Sequence, residues 1–277
     1  MNMHARTLLL SPLLLLAPAF AGAACIAITA VPATLSSNGR YCLTQDVAMG
    51  GTSGTAITID ADAVTLDLQG HTVRGNGAAN VSTVGINVAG HKYFDIGNGS
   101  IAGFSRGVAV VADGATRSRA GTVHDLDVHR SFLYGLLIDC DGCSVRDNAV
   151  TDTSLPAGFP GYTVDGIAVE GTGDQVTGNR VYSTRNASGE TIAFAVGAAN
   201  STIARNGAFD THGASDNAYG YLISGVSSLL VDNTAQGFST CYWVQGAAMK
   251  YRGNLANACA TSYGGGANGS GDLGGNQ

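Results

Sequence analysis

From about residue 56 onward the apolar residues fall in runs too short for helices and too regular for loops. Aliphatic residues alternate with small or polar ones, a turn follows, and a further apolar residue stands three positions before an asparagine. The clearest copies read GLLIDCDGCSVRDN (135–148), GIAVEGTGDQVTGN (166–179), AFAVGAANSTIARN (193–206), GYLISGVSSLLVDN (220–233) and CYWVQGAAMKYRGN (241–254). Ile138, Val169, Val196, Ile223 and Val244 each precede Val145, Val176, Ile203, Leu230 and Tyr251 by seven positions. Asn148, Asn179, Asn206, Asn233 and Asn254 follow three residues later. Fixed spacing within copies and variable gaps between them describe a solenoid whose insertions fall in its turns.

The first full coil spans Ala56 to Gly75, with Ile57, Ile59, Val64, Leu66 and Leu68 at period two. A second runs from about Gly85 to Phe104. The third, Gly107 to His129, is interrupted at Arg117–Gly121, and coils four to eight hold the register quoted above. Residues 25–55 read as an N-terminal cap with a short strand at Tyr41-Cys42-Leu43, and 262–277, poor in apolar residues, as a disordered tail. The recurring asparagine has a physical role: stacked amides can bond from coil to coil and satisfy turn backbone groups that would otherwise be buried unpaired.

The segment ahead of the cap changes the expected compartment. His4 and Arg6 precede an apolar stretch, Leu8 to Phe20, broken by Pro12 and Pro18 and followed by Ala21-Gly22-Ala23. That order predicts a signal peptide over 1–24 and a secreted or periplasmic protein, with a run too short to span a membrane. Six cysteines in an exported chain predict disulfides, paired locally as Cys25 with Cys42, Cys140 with Cys143 and Cys241 with Cys259. The first and last pairs would staple the ends of the solenoid. Charge is sparse and acidic, 14 Lys and Arg against 20 Asp and Glu, with Lys92 and Lys250 the only lysines. No basic, aromatic-laced groove is present, which excludes nucleic acid as an expected partner and argues against strongly anionic substrates.

These repeats resemble those of the right-handed parallel β-helix proteins of the pectate-lyase-like superfamily, and the asparagine column resembles that family's ladder. The opening YCLTQDV with GTAITIDADAVTLDLQGHTV is similar to exported bacterial β-helix proteins of unassigned activity. The resemblance covers about residues 25–260 and implies an all-β fold, a right-handed parallel β-helix of about eight coils over 56–261. It leaves function open, because such folds carry lyases, hydrolases, esterases, adhesins and inert scaffolds. The signatures of polygalacturonase-like hydrolases are not matched: the chain has Asp139-Cys140-Asp141, Thr211-His212-Gly213 and Lys250-Tyr251-Arg252 in their place.

Register places the candidate chemistry. If Ile167 and Val169 point inward, the outward position after the second aliphatic reads Asp139, Glu170, Gly197, Ser224 and Gln245 in coils four to eight. Asp139 and Glu170 are then neighbours on adjacent coils, about 4.8 Å apart at the backbone. Two carboxylates about 5 Å apart repel by about 3 kcal/mol at an effective dielectric near 20, so one holds a proton unless a cation intervenes. That is the pairing used in acid–base glycoside cleavage. Arg185 and His212, six residues after their ladder asparagines, are expected beside this face, to position substrate or tune the pair. Inserts at 155–163, 186–190 and 213–217 leave from one edge, with Tyr162, Tyr219 and Tyr221 available to stack on sugar rings. The group His124, Asp125, Asp127 and His129 resembles a metal site in print, but strict alternation separates His124 from the other three, and no metal is assigned. The leading expectation is a monomer that binds and cleaves a neutral or weakly charged polysaccharide without a cofactor. The alternatives are a non-catalytic surface scaffold or adhesin, and a calcium-dependent lyase with Arg185 as base and Asp139 and Glu170 as Ca²⁺ ligands.

Overall fold

The computed structural model of the chain describes residues 25–79, 81–187, 189–210, 217–266 and 271–277. One coil shows how the repeat folds. The long strand Val164–Thr172 is followed by two short strands, Gln175–Thr177 and Arg180–Tyr182, before the chain returns to the next long strand, Thr191–Val196. Gly178 (φ 71°) turns the chain between the short strands, and Asp147, Arg205, Asp232 and Gly253 adopt the same left-handed conformation in their own coils. Each of these residues immediately precedes a ladder asparagine.

All pairings between the strands are parallel and join successive coils. The long strands stack in one sheet from Ala33–Leu35 to Thr261–Gly265. The short strands form two further rows, fused where Asp95–Ala102 and Thr122–His129 run through both. A parallel neighbour can be reached only by crossing over, here through the rest of the coil, and such crossovers are right-handed. Among the described residues there is no α-helix. The molecule is therefore a right-handed parallel β-helix, as the repeat predicts.

Its core is a set of columns running along the axis. Ile57, Ile86, Val108, Leu136, Ile167, Phe194, Tyr221 and Tyr242 occupy one register position and are fully buried. Phe194, Tyr221, Tyr242 and Tyr263 stack face to face, with centroids 4.8, 4.9 and 5.0 Å apart. Tyr221, expected to face a sugar, is thus 0% exposed. It shares its register position with Ile167, so the alternation that buries Ile167 also buries the tyrosine.

The asparagine column is continuous. Each side-chain amide donates to the carbonyl oxygen of the next, at 2.9 Å from Asn148 to Asn179 and 3.0 Å through Asn206, Asn233 and Asn254. The same oxygens accept the preceding asparagine's backbone N–H, and the amides also reach back to carbonyls of the preceding coil. Asn276 extends the column past Asn254 at 3.1 Å, and Thr261–Gly265 adds a strand to the long sheet. The expectation of a disordered 262–277 is corrected for the described part of that segment: main-chain pairing and the ladder hold it, although it has few apolar residues.

Three disulfides join Cys25–Cys42, Cys140–Cys143 and Cys241–Cys259, the pairing expected. Two of them clamp the ends of the solenoid. The cap is itself built of coil strands, since Ala33–Leu35 pairs with Ile57–Ile59 and Gly39–Leu43 with Val64–Asp67.

Candidate functional site

The outward face of the long sheet over coils three to six carries the candidate chemistry. Asp139 and Glu170 are direct register partners on the adjacent strands Tyr134–Asp141 and Val164–Thr172. Their side chains diverge. Glu170 lies over the backbone of coil six, where a Cβ on Gly197 would collide with its carboxylate. Asp139 is drawn toward coil three by Arg117, whose Nε stands 2.8 Å from its Oδ1, while Nη1 reaches Asp141 Oδ1 at 3.3 Å. The Arg117–Asp139 contact is charge against charge, since the N–H is not aligned on Oδ1 for a hydrogen bond.

Arg117 changes the electrostatics foreseen for a bare carboxylate pair. Asp141 and Asp139 raise its pKa, so it stays a cation. Burial, then the charge of Asp139, raise the carboxyl of Glu170, with Arg117 opposing. One member of the pair therefore holds an ionic partner, and the other is biased toward keeping its proton. Sequence reasoning did not find Arg117, because it lies in the coil-three insert, out of register; only the paired strand Ser118–Arg119 against Cys140–Asp141 brings it alongside.

At the other end of the same strands stands a second group that sequence reasoning missed. Arg106, Tyr134, Asp165 and Ile192 share one register column on coils three to six. Asp165 is 6% exposed, and its Oδ1 has no hydrogen-bond partner. Burial, then the charges of Glu190 and Glu170, push its carboxyl up to about 7. Arg106 Nε and the buried Thr191 Oγ1 likewise have no partner. Leu133, Leu155 and Val164 form a small apolar cluster here, with Tyr134 and Phe159 packed on it, and so anchor the 155–163 insert beside this column. Between the two polar columns the outward residues on coils three, five and six are Ala109, Ala168 and Ala195.

The other expected site residues disperse. Arg185 pairs with Ser154 in a short two-stranded ladder at the turn leading into the next coil, and its charge acts on Asp210 rather than on Glu170. The six residues from 191 to 196 separate that turn from the end of the sheet where Glu170 lies, which corrects the placement expected for Arg185. His212 lies outside the described residues. Tyr162 is exposed on the 155–163 insert, and Tyr219 is half-buried, edge-on to Trp243 at 6.1 Å.

His124 corrects the strict-alternation reading. Its ring nitrogens stand 2.7 Å from Asp95 Oδ1 and 2.7 Å from Asp125 Oδ2. The left-handed Asp125 (φ 49°) breaks the alternation and leaves both side chains outside. Among the described residues no three His, Cys, Asp or Glu side chains converge as a metal site.

Comparison with known proteins adds a scale for this arrangement. No family described by sequence matches the chain, and no curated protein matches it either. Solved structures do match. The Dettilon tailspike protein superposes with TM-score 0.51 at 14% identity, covering 84% of this chain and 54% of that one. A DFA-IIIase from Arthrobacter chlorophenolicus A6, solved in complex with DFA-III, gives 0.53 at 13%, covering 79% and 54%. The likeness is one of fold. This chain spans about half the length of either structure.

Proposed function

We propose that this β-helix is an exported glycoside hydrolase acting on a neutral glycan at the outward face of coils three to six. The observation that carries the reading is the splayed pair: Asp139 held toward coil three by Arg117, and Glu170 laid over Gly197 of coil six. Divergence along the axis opens more than the strand spacing between them, room for a water beside the reacting sugar, as inverting hydrolysis requires. In that reaction Glu170 gives its proton to the departing glycosidic oxygen as the carbon–oxygen bond breaks. Water bonds to the anomeric carbon from the opposite side and passes its proton to Asp139. Arg117 holds Asp139 in an ion pair, and the exposed Tyr162 supplies an aromatic wall.

Carboxyl groups (Asp139, Asp141, Asp165, Glu170, Glu190) outnumber the guanidinia (Arg106, Arg117, Arg119) here, which favours a neutral over an anionic glycan. The calcium-dependent lyase has less support. Arg185, its expected base, is remote, Asp139 already pairs with Arg117, and Glu170 turns away from it over Gly197. A DFA-IIIase, solved with DFA-III bound, shares this fold. Export is supported by the three disulfides.

The deciding experiment is a reducing-end assay on a panel of neutral polysaccharides. Glu170→Gln and Asp139→Asn are each expected to lower kcat by about 10²-fold or more while the fold stays intact by circular dichroism. Full activity in both variants would remove the pair from the chemistry, and no cleavage by the wild type would return the molecule to a binding scaffold.

A further inference from the structure

The catalytic pair constrains how a glycan can lie. In-line displacement needs the attacking water, the anomeric carbon and the departing oxygen on one line, with that oxygen axial to the sugar ring. Asp139 and Glu170 are displaced from each other along the helix axis, so the line runs along the axis and the ring plane runs across it, parallel to the strands. The sugars on the non-departing side leave in that plane. Along the strands from Glu170, past Ala168, the chain meets Asp165, five residues and roughly 16 Å away. That distance suits about three sugar units.

What waits there is a built site with unfilled bonds. Asp165 Oδ1, Thr191 Oγ1 and Arg106 Nε are buried and unpartnered on coils five, six and three, a concentration that folded proteins avoid unless another molecule supplies the partner. Asp165 and Arg106 flank Tyr134 along one register column, an acceptor and a donor that suit sugar hydroxyls, which both give and take hydrogen bonds. Resting on the hydrolase reading, we propose that Asp165, Tyr134 and Arg106 form a distal sugar-binding subsite, and that the glycan lies along the strands rather than along the axis of the β-helix. Asp165 and Tyr134 are positioning residues here, acting on the third sugar unit and remote from the bond that breaks.

Chain-length dependence tests this. Cello-, manno- and fructo-oligosaccharides of two to five units serve as probes, with kcat/KM read for each length and the dimer as internal reference. In the wild type kcat/KM should rise about tenfold between the two- and four-unit substrates of the series that is cleaved. Asp165→Asn and Tyr134→Phe should each abolish most of that gain, and Trp243→Ala, on the outward face of coil eight, should keep it. A gain retained in both Asp165→Asn and Tyr134→Phe but lost in Trp243→Ala would overturn the proposal and lay the glycan along the axis. A wild type with full activity but no gain with length would also overturn it, leaving the hydrolase reading intact. Failure to cleave or bind any member of the panel would instead remove the hydrolase reading, and this inference with it. Thermal unfolding of the three variants separates lost binding from lost fold.

Discussion

At the scale of single residues, buried or crowded carboxyls set most of what can be measured. Asp174 is buried in a turn, accepts the Cys143 N–H at 2.7 Å and has its second oxygen unpartnered. Burial is the main cause of its rise from 3.8 to about 7. The folded state therefore holds a proton that the unfolded chain releases, and stability falls as pH rises from about 4 to about 7. Asp174→Asn keeps the acceptor oxygen and removes the charge. It should flatten this slope and raise stability at pH 7 by roughly 1 kcal/mol or more, read from urea unfolding at several pH values. Gly197→Ala makes a different point. Its backbone tolerates a side chain, but the methyl would displace the Glu170 carboxylate, so activity should drop at least tenfold with the melting temperature little changed. Arg117→Gln removes the one influence that lowers the Glu170 pKa, and the alkaline limb of the pH–rate profile should move to higher pH as the maximal rate falls.

At the scale of elements, the repeat made the strands, the ladder and the Asp139–Glu170 register readable from sequence, because each depends only on spacing. What escaped depends on local departures from spacing. Left-handed Asp125 put His124 and Asp125 on one side, and the coil-three insert brought Arg117 in from outside the repeat. Asp165 escaped because Gly166, next to the inward Ile167, also faces the interior: a Cβ there would strike Val181. Counting by twos from Ile167 therefore loses the strand's face before Asp165 is reached. Tyr221 was misplaced although its register position already answered the question. The ladder invites a measurement of its own. Asn206→Ala removes an acceptor used twice by Asn179 and donors used by Val176 and Asn233, and should cost about 2–4 kcal/mol in denaturant unfolding.

At the scale of the whole molecule, each coil touches chiefly its neighbours, so stability adds along the axis and is weakest at its ends. The Cys241–Cys259 link encloses the last clear repeat with a sequence separation of 18. Replacing both cysteines by serine should cost about 3 kcal/mol and speed amide exchange in coil eight and the strand Thr261–Gly265 before coil four, which hydrogen-exchange mass spectrometry resolves.

The direction of the asparagine column has a consequence for how the chain is made. Every asparagine in it gives its backbone N–H and one amide hydrogen to an oxygen that comes later in the sequence. A partly synthesised chain thus always ends in two buried donors awaiting the next turn, and growth from the N-terminus closes each gap as it opens the following one. Ending the polypeptide after any interior coil would leave an adhesive rim, ready to accept the corresponding turn of a second copy.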